Sequence, residues 1–460
     1  MKPSVKIISI VLISIILVAA TVFAAIAVFH LPAKIARNFM ENNFTGSDYT
    51  IPVVDLSSKP SEAKGTDYEY LYDLSVVDNS LDYMAHPDSV LLKDGNILTV
   101  YPAGHGRGAI LNKVSTDGGV SWNSEIENTP ESWVNSQETP TVYRLNFTDG
   151  TDKLIIISAN PDWRDTETTG GFECSVSDDD GKTWSEFKRF YDLESENSVV
   201  PIVAMSSLTR LKENGEFVDK WMGLFHDSSF YNYKTILTFD EDGKVNWSTP
   251  EKYFAAYREI EEKSCMCEVE VIRSEGGLGD ELCLITRSNT KRMNSLISFS
   301  NDEGKTWSEP VEAPAALNGE RHKAEYTPDG RLYITFRSIE RGQKARANVT
   351  RILDLQRGWV SEGLVAWVGT YEDLKNGSEG QYRIKLAHIY TDLQLFPDYY
   401  AFADTGYCGN VVLDDGTIVT CGYGKFSPLE REKDLFTYRT YICSKRVNLK
   451  DTDKLAGITE

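Results

Sequence analysis

Ser177-Asp178-Asp179-Asp180-Gly181-Lys182-Thr183-Trp184 is one of three near-copies of a pattern S-x-D-x-G-x-[ST]-W in this chain. The others are Ser115-Thr-Asp-Gly-Gly-Val-Ser-Trp122 and Ser300-Asn-Asp-Glu-Gly-Lys-Thr-Trp307. A looser copy runs from Thr238 to Trp247, and a weaker one ends in Asp354 and Trp359. Starts at 115, 177, 238 and 300 lie 62, 61 and 62 residues apart. That is the length of a four-stranded sheet with its turns, and it leaves room for about six units between residues 76 and 450. Ser and Asp close a tight turn by hydrogen bonds, Gly supplies a positive φ and Trp packs between neighbouring sheets. The repeat is therefore assigned to stability rather than to chemistry.

Outward from these turns the chain alternates short runs rich in β-branched and aromatic residues with turn signals. The runs include Asn96–Tyr101, Lys153–Ala159, Leu282–Arg287, Leu332–Arg337 and Thr417–Tyr423; the turns include Lys93-Asp94-Gly95, Pro328-Asp329-Gly330 and Asp414-Asp415-Gly416. Only a few stretches, notably Pro250–Glu262, read as short helices. The expected fold is all-β: a six-bladed propeller of four-stranded blades over residues 76–450, followed by a C-terminal tail, 451–460. Residues 31–75 are polar, with Ser58, Lys59, Pro60, Ser61 and Glu62 in a row, and read as a stalk. Ile7 to Phe29 is an uncharged stretch of 23 residues, long enough at ~1.5 Å per residue to cross a bilayer. It is read as one N-terminal transmembrane helix within residues 1–30, with a cleaved signal peptide as the alternative because Ala25 and Ala27 offer a cleavage site. Lys2 and Lys6 before it and Lys34 and Arg37 after it give no orientation signal; a cell-membrane location with the propeller outside the cytoplasm is expected on grounds of fold.

With 460 residues, 41% of them hydrophobic, the chain is long enough for a large core, and its composition excludes disorder of the bulk. A formal charge of −21 repels phosphate backbones, so nucleic acid is excluded as a partner. It also opposes an anionic substrate unless arginines are concentrated locally. Seven cysteines make no disulfide scaffold; Cys265 and Cys267 are read as buried strand residues, and no metal or cofactor is expected. Gly104-His-Gly-Arg-Gly108 lies between strands and is not a nucleotide loop.

The repeats at this spacing resemble the Asp-box repeats of the sialidase superfamily, over about residues 80–450. The resemblance implies a glycosidase that removes a terminal acidic sugar, sialic acid first, from a glycan or glycoconjugate. Tyr407-Cys-Gly-Asn-Val-Val-Leu-Asp-Asp-Gly416 is similar to the family's nucleophile strand, so Tyr407 is the implied nucleophile. Glu268-Val-Glu-Val-Ile followed by Leu282–Arg287 is similar to the strand and hairpin that carry its base and a carboxylate-binding arginine, here Glu268 and Arg287. The chemistry fits: a phenol is a poor nucleophile unless a carboxylate takes its proton, and a guanidinium fork matches a carboxylate. A further arginine is expected among Arg337, Arg341 and Arg346.

Two departures stand out. The family's first arginine is replaced by Ala85-His86-Pro87, and its acidic Asp has no counterpart in Tyr101-Pro-Ala-Gly-His-Gly-Arg-Gly108. His86, Asp88, His105 and Arg107 occupy that blade's pocket-facing positions, and His226 and His322 also fall at strand ends or loops; such histidines bind hydroxyl-rich sugars or carry protons. Glu138 and Glu325, like Glu268, occupy strand entrances, so a pair of carboxylates acting on a different sugar, with His105, is the second expectation. A noncatalytic glycan-binding propeller is the third.

Overall fold

A computed structural model describes residues 14–21, 24, 49–81, 83–106, 108–161, 170–290, 293–339, 363–388, 405–426 and 440–458. Six sheets follow one another along the chain. Their first strands are Asp88–Leu91, Thr141–Asn146, Pro201–Glu213, Met266–Arg273, Gly319–Tyr326 and Gly406–Val412. Each packs beside the next, and the sixth packs against the first, so these strands ring a central axis. Closure is tight: a Cβ on Gly409 of blade six would lie 2.4 Å from the Ser89 amide of blade one. The expected six-bladed propeller is thus the fold.

The blades depart individually from four strands. Blade one has three, Asp88–Leu91, Ile97–Pro102 and Ile110–Ser115, with its fourth reduced to the bridge between Val114 and Ser124. Blade six takes its outermost strand from far upstream: Ser75–Asp78 pairs antiparallel with Tyr441–Asn448. Val53–Asp55 adds in parallel to the outer strand of blade five, Tyr382–Ala387. This corrects the stalk reading from residue 49 onward. Leu56 and Leu71 are fully buried, so the polar composition of 49–75 reflects one solvated face of a segment whose apolar residues pack on the propeller. Likewise the expected tail at 451–460 contributes most of a helix, Leu449–Ala456, whose Asn448 side chain caps the Lys450 amide and whose Leu449 is buried. The helix expected near Pro250–Glu262 lies at Arg258–Ser264, after a 3-10 turn at Ala255–Tyr257. Cys265 is no buried strand residue but the half-buried, left-handed C-cap of that helix; Cys267 is buried in the strand.

The repeated turns behave alike. In the Ser177 copy, Ser177 Oγ donates to Asp179 Oδ1 at 2.9 Å and accepts from the Gly181 amide at 2.8 Å. Asp179 also accepts from the Thr183 amide, 2.8 Å, and hydroxyl, 2.6 Å. The copies at 115 and 300 repeat these contacts within 0.1 Å. Gly181 sits at φ +86°, where a side chain would be strained. Their tryptophans pack on a neighbouring blade: Trp122 donates to Ser444 Oγ of blade six at 2.9 Å, and Trp307 joins Met222 and Leu224 of blade three. Residues between Asp and Gly add inter-blade ties, since Glu303 accepts from the Lys212 amide and from both terminal nitrogens of Arg273.

No described helix is long and apolar enough to cross a membrane. Of the expected anchor, residues 14–21 are helical, with Ile15, Ile16, Leu17 and Val18 exposed, and all the rest but Ala24 lies outside the described residues.

Candidate active site

The mouth of the ring is made where the first strands begin, and four of those strands begin irregularly. Pairing slips between Ile202 and Ser207, Cys267 and Glu270, Glu320 and Lys323, and Gly406 and Gly409. Within the slips Val203, Met205, Glu268, Arg321 and Tyr407 take φ between 46° and 56° or, for Tyr407, 45°; His86, just before blade one's strand, has 54°. Such conformations cost roughly 1–3 kcal/mol each in non-glycine residues. A bulge re-aims a side chain out of the alternation of its strand. Here bulges put Glu268, Arg321 and Tyr407 together: the Arg321 guanidinium lies 5.4 Å from the Tyr407 ring, and the Tyr407 phenol lies close enough to Glu268 for each to shift the other's titration.

Arg287 faces Glu268 across a hairpin, where it pairs in register with Cys267. Its Nη1 donates to both Glu268 oxygens, at 2.8 and 2.9 Å, while Nη2 donates to Asn289 Oδ1 at 2.8 Å and pairs with Glu320 Oε1 at 3.4 Å. Glu320 is also ion-paired with Arg337, its partner in register on the neighbouring strand. Burial would raise Glu268, but the Arg287 charge, the Tyr407 hydrogen bond and the remaining neighbours outweigh it and bring it to about 2. Burial and then the Glu268 charge push Tyr407 well above the usual phenol range. His226 is driven down to about 4 by burial, against the pull of Glu268, so its imidazole is neutral at pH 7.

A second flank comes from blades one and two. The His86 ring stands 4.2 Å from the Tyr407 ring and 5.0 Å from that of His105, whose Nδ1 is 2.7 Å from the Tyr83 hydroxyl. The Thr139 hydroxyl donates to Glu138 Oε1 at 2.8 Å and lies 3.3 Å from His86 Nδ1. Gly106 fits between them, because a Cβ there would meet Glu138 Oε1 at 2.4 Å and His86 Cε1 at 3.6 Å.

Of the residues singled out in sequence, Tyr407, Glu268, Arg287, Arg337, His86, His105 and Glu138 therefore gather at one end of the axis. Asp88 and Glu325 belong to a deeper layer on the same strands. Asp88 accepts from the Val142 amide at 3.0 Å and faces Lys323 Nζ at 3.5 Å; Glu270 accepts from the Ala324 amide at 3.0 Å. Burial raises Glu325 to about 7, against the attraction of Lys323. His322 points away from the mouth, with Nε2 at 2.9 Å from the Leu317 carbonyl and its ring 5.0 Å from that of Phe336. Arg107, Arg341 and Arg346 lie outside the described residues. Glu320, Arg321 and Tyr83 were not singled out as site residues. In blades one, five and six a D-G turn follows at the same distance from His86, Arg321 and Tyr407, with Asp94, Asp329 and Asp415 each eight residues on, a spacing that points to Arg321 and its neighbour Glu320.

A family model described as a BNR repeat-like domain matches residues 110–359, more than half of the chain. The chain belongs to the BNR repeat-like family. No curated protein matches it. A solved structure of a Dyadobacter fermentans protein of unknown function is 16% identical, covering 81% of this chain and 97% of that one, with a TM-score of 0.51. The GH93 α-L-arabinofuranosidase of Fusarium graminearum is 12% identical over 82% of this chain and 97% of its own, TM-score 0.49. The NanB sialidase of Streptococcus pneumoniae is 11% identical over 82% of this chain and 70% of its own, TM-score 0.48.

Proposed function

We propose that the propeller is a retaining glycoside hydrolase that removes a terminal sugar from a glycan, with Tyr407 as nucleophile and Glu268 as its base. The observation that carries this reading is a buried phenol beside a carboxylate that Arg287 keeps ionised, both on left-handed residues at the mouth. Tyr407 Oη attacks the anomeric carbon, the glycosidic C–O bond breaks, and the phenol proton passes to Glu268. Because a free phenolate is inaccessible to so raised a group, proton transfer accompanies attack instead of preceding it. The departing oxygen takes a proton from the His105 and Glu138 flank, which then activates the water that cleaves the glycosyl–tyrosine bond.

Two substrate classes meet this centre differently. Arg287 and Arg337, converging on one spot, favour the carboxylate of an acidic sugar such as sialic acid; Glu320, already on that spot, favours a neutral one. An N-terminal anchor would display the site outside the cell, where such glycans lie; protease digestion of intact cells tests that placement. The hydrolase reading is tested by incubating the full chain with α-sialosides and neutral aryl glycosides, beside Tyr407→Phe and Glu268→Gln. Sugar release lost in both variants supports it, and release that survives in Tyr407→Phe assigns the chemistry to carboxylates instead.

A further inference from the structure

Arg287 has four hydrogens on its terminal nitrogens, and each terminal nitrogen is already engaged. Nη1 serves Glu268, and Nη2 serves Asn289 and Glu320. Arg337 Nη2 is ion-paired with the other oxygen of Glu320. Glu320 thus bridges two guanidinium groups in the manner of a bound sugar carboxylate, but from within the chain. Its side chain is 2% exposed, against 13% for each arginine, so it is seated beneath them. Among the described residues, Glu138, Glu268 and Glu320 balance Arg287, Arg321 and Arg337, and the mouth carries no net formal charge. In a chain of charge −21, the described groups at this face then do not offset the repulsion of an anion. Nor does His226 add charge; its buried Nδ1 has no hydrogen-bond partner among the described residues.

We infer that Glu320 is the specificity-determining residue of this site, an internal carboxylate on the arginine pair that makes the mouth select uncharged sugars over sugar acids. This rests on the reading of the mouth as a sugar site. A sugar acid would have to evict Glu320 into a largely buried position without its partners, which is costly for a carboxylate. A neutral sugar leaves the pair intact and meets hydrogen-bonding groups alone.

Calorimetric binding of N-acetylneuraminic acid and of its methyl ester to the full chain tests this without requiring turnover. The two ligands share the whole sugar and differ in the carboxylate, charged in the acid and capped by a methyl group in the ester. The ester is expected to bind the unaltered chain at least as tightly as the acid, and Glu320→Gln is expected to gain at least ~10-fold for the acid and little for the ester. Glu320→Asp, which keeps the charge one methylene shorter, carries the test if circular dichroism shows Glu320→Gln unfolded; it should retain the preference for the ester. Tighter binding of the acid by the unaltered chain overturns the inference, as does binding of neither sugar to any of these proteins. The hydrolase reading is judged apart, by whether any glycoside is cleaved.

Discussion

At the outer turns Asp117, Asp179 and Asp302 each meet the same three partners at nearly the same distances. At the mouth His86, Glu138, Glu268, Arg321 and Tyr407 hold comparable places at five strand entrances, and four different residue types are found there. Both regions are polar and hydrogen-bonded. The turns repeat every 61 or 62 residues, and their aspartates, exposed or half-buried, are satisfied within the turn. The mouth is buried, and its groups meet across blades, Glu320 with Arg287 and Thr139 with His86. Repetition marks what every blade needs to stand beside its neighbour; the proposed site lies where the repeat is broken at the cost of backbone strain.

The largest effect that should separate the two regions is on catalysis. Tyr407→Phe is expected to lower kcat/KM by at least ~10³-fold with melting temperature unchanged, measured by steady-state rates and calorimetry on the same preparation. Melting that fell in step with activity would place Tyr407 with the turns. Next comes Arg287→Gln. With the charge that depresses Glu268 removed and burial left, the carboxyl should rise from about 2 past its ordinary value, so the acid limb of the pH–rate profile should move to higher pH. In the parent, the stability this ionised carboxylate contributes is full above about pH 4.5 and is lost as pH falls toward 2. An unmoved acid limb would assign the base elsewhere.

Asp302→Ala strips three hydrogen bonds from one turn and should cost about 1–3 kcal/mol in urea unfolding while leaving kcat/KM per folded molecule unaltered. Lost activity there would erase the division of labour. The smallest effect lies in the layer beneath the mouth. Glu325, raised to about 7, holds its proton more tightly folded than unfolded, so it weakens the fold as pH rises from about 4.5 through 7. Glu325→Gln should therefore raise the melting temperature at pH 8 relative to pH 5, and an equal change at both would show that Glu325 titrates normally.

The fold was legible in the sequence because its signal is local: eight consecutive residues carry the turn, and four spaced copies count the blades. Tyr407, Glu268 and Arg287 were legible through the motif around each, and His86 and His105 through the departures from it. Glu320 and Arg321 were not. Their roles depend on a slip in pairing between Glu320 and Lys323, which turns adjacent residues to the same site against the alternation of a strand. Val53–Asp55 and Ser75–Asp78 were missed for a related reason: three- and four-residue strands on the outer edges of blades show little periodicity, and their partners lie more than 300 residues away.

The pairing of Ser75–Asp78 with Tyr441–Asn448 also sets a timetable. Val76 and its partner Cys443 are far apart in the chain, and at ~5–20 residues per second of synthesis the first waits roughly 20–70 s for the second. Throughout that interval the blades already synthesised form an open arc with an unpaired edge at either end. The seam that locks the ring is thus the last of the propeller's sheet pairings that can form, and the nascent propeller is most exposed to misassembly just before that strand is made.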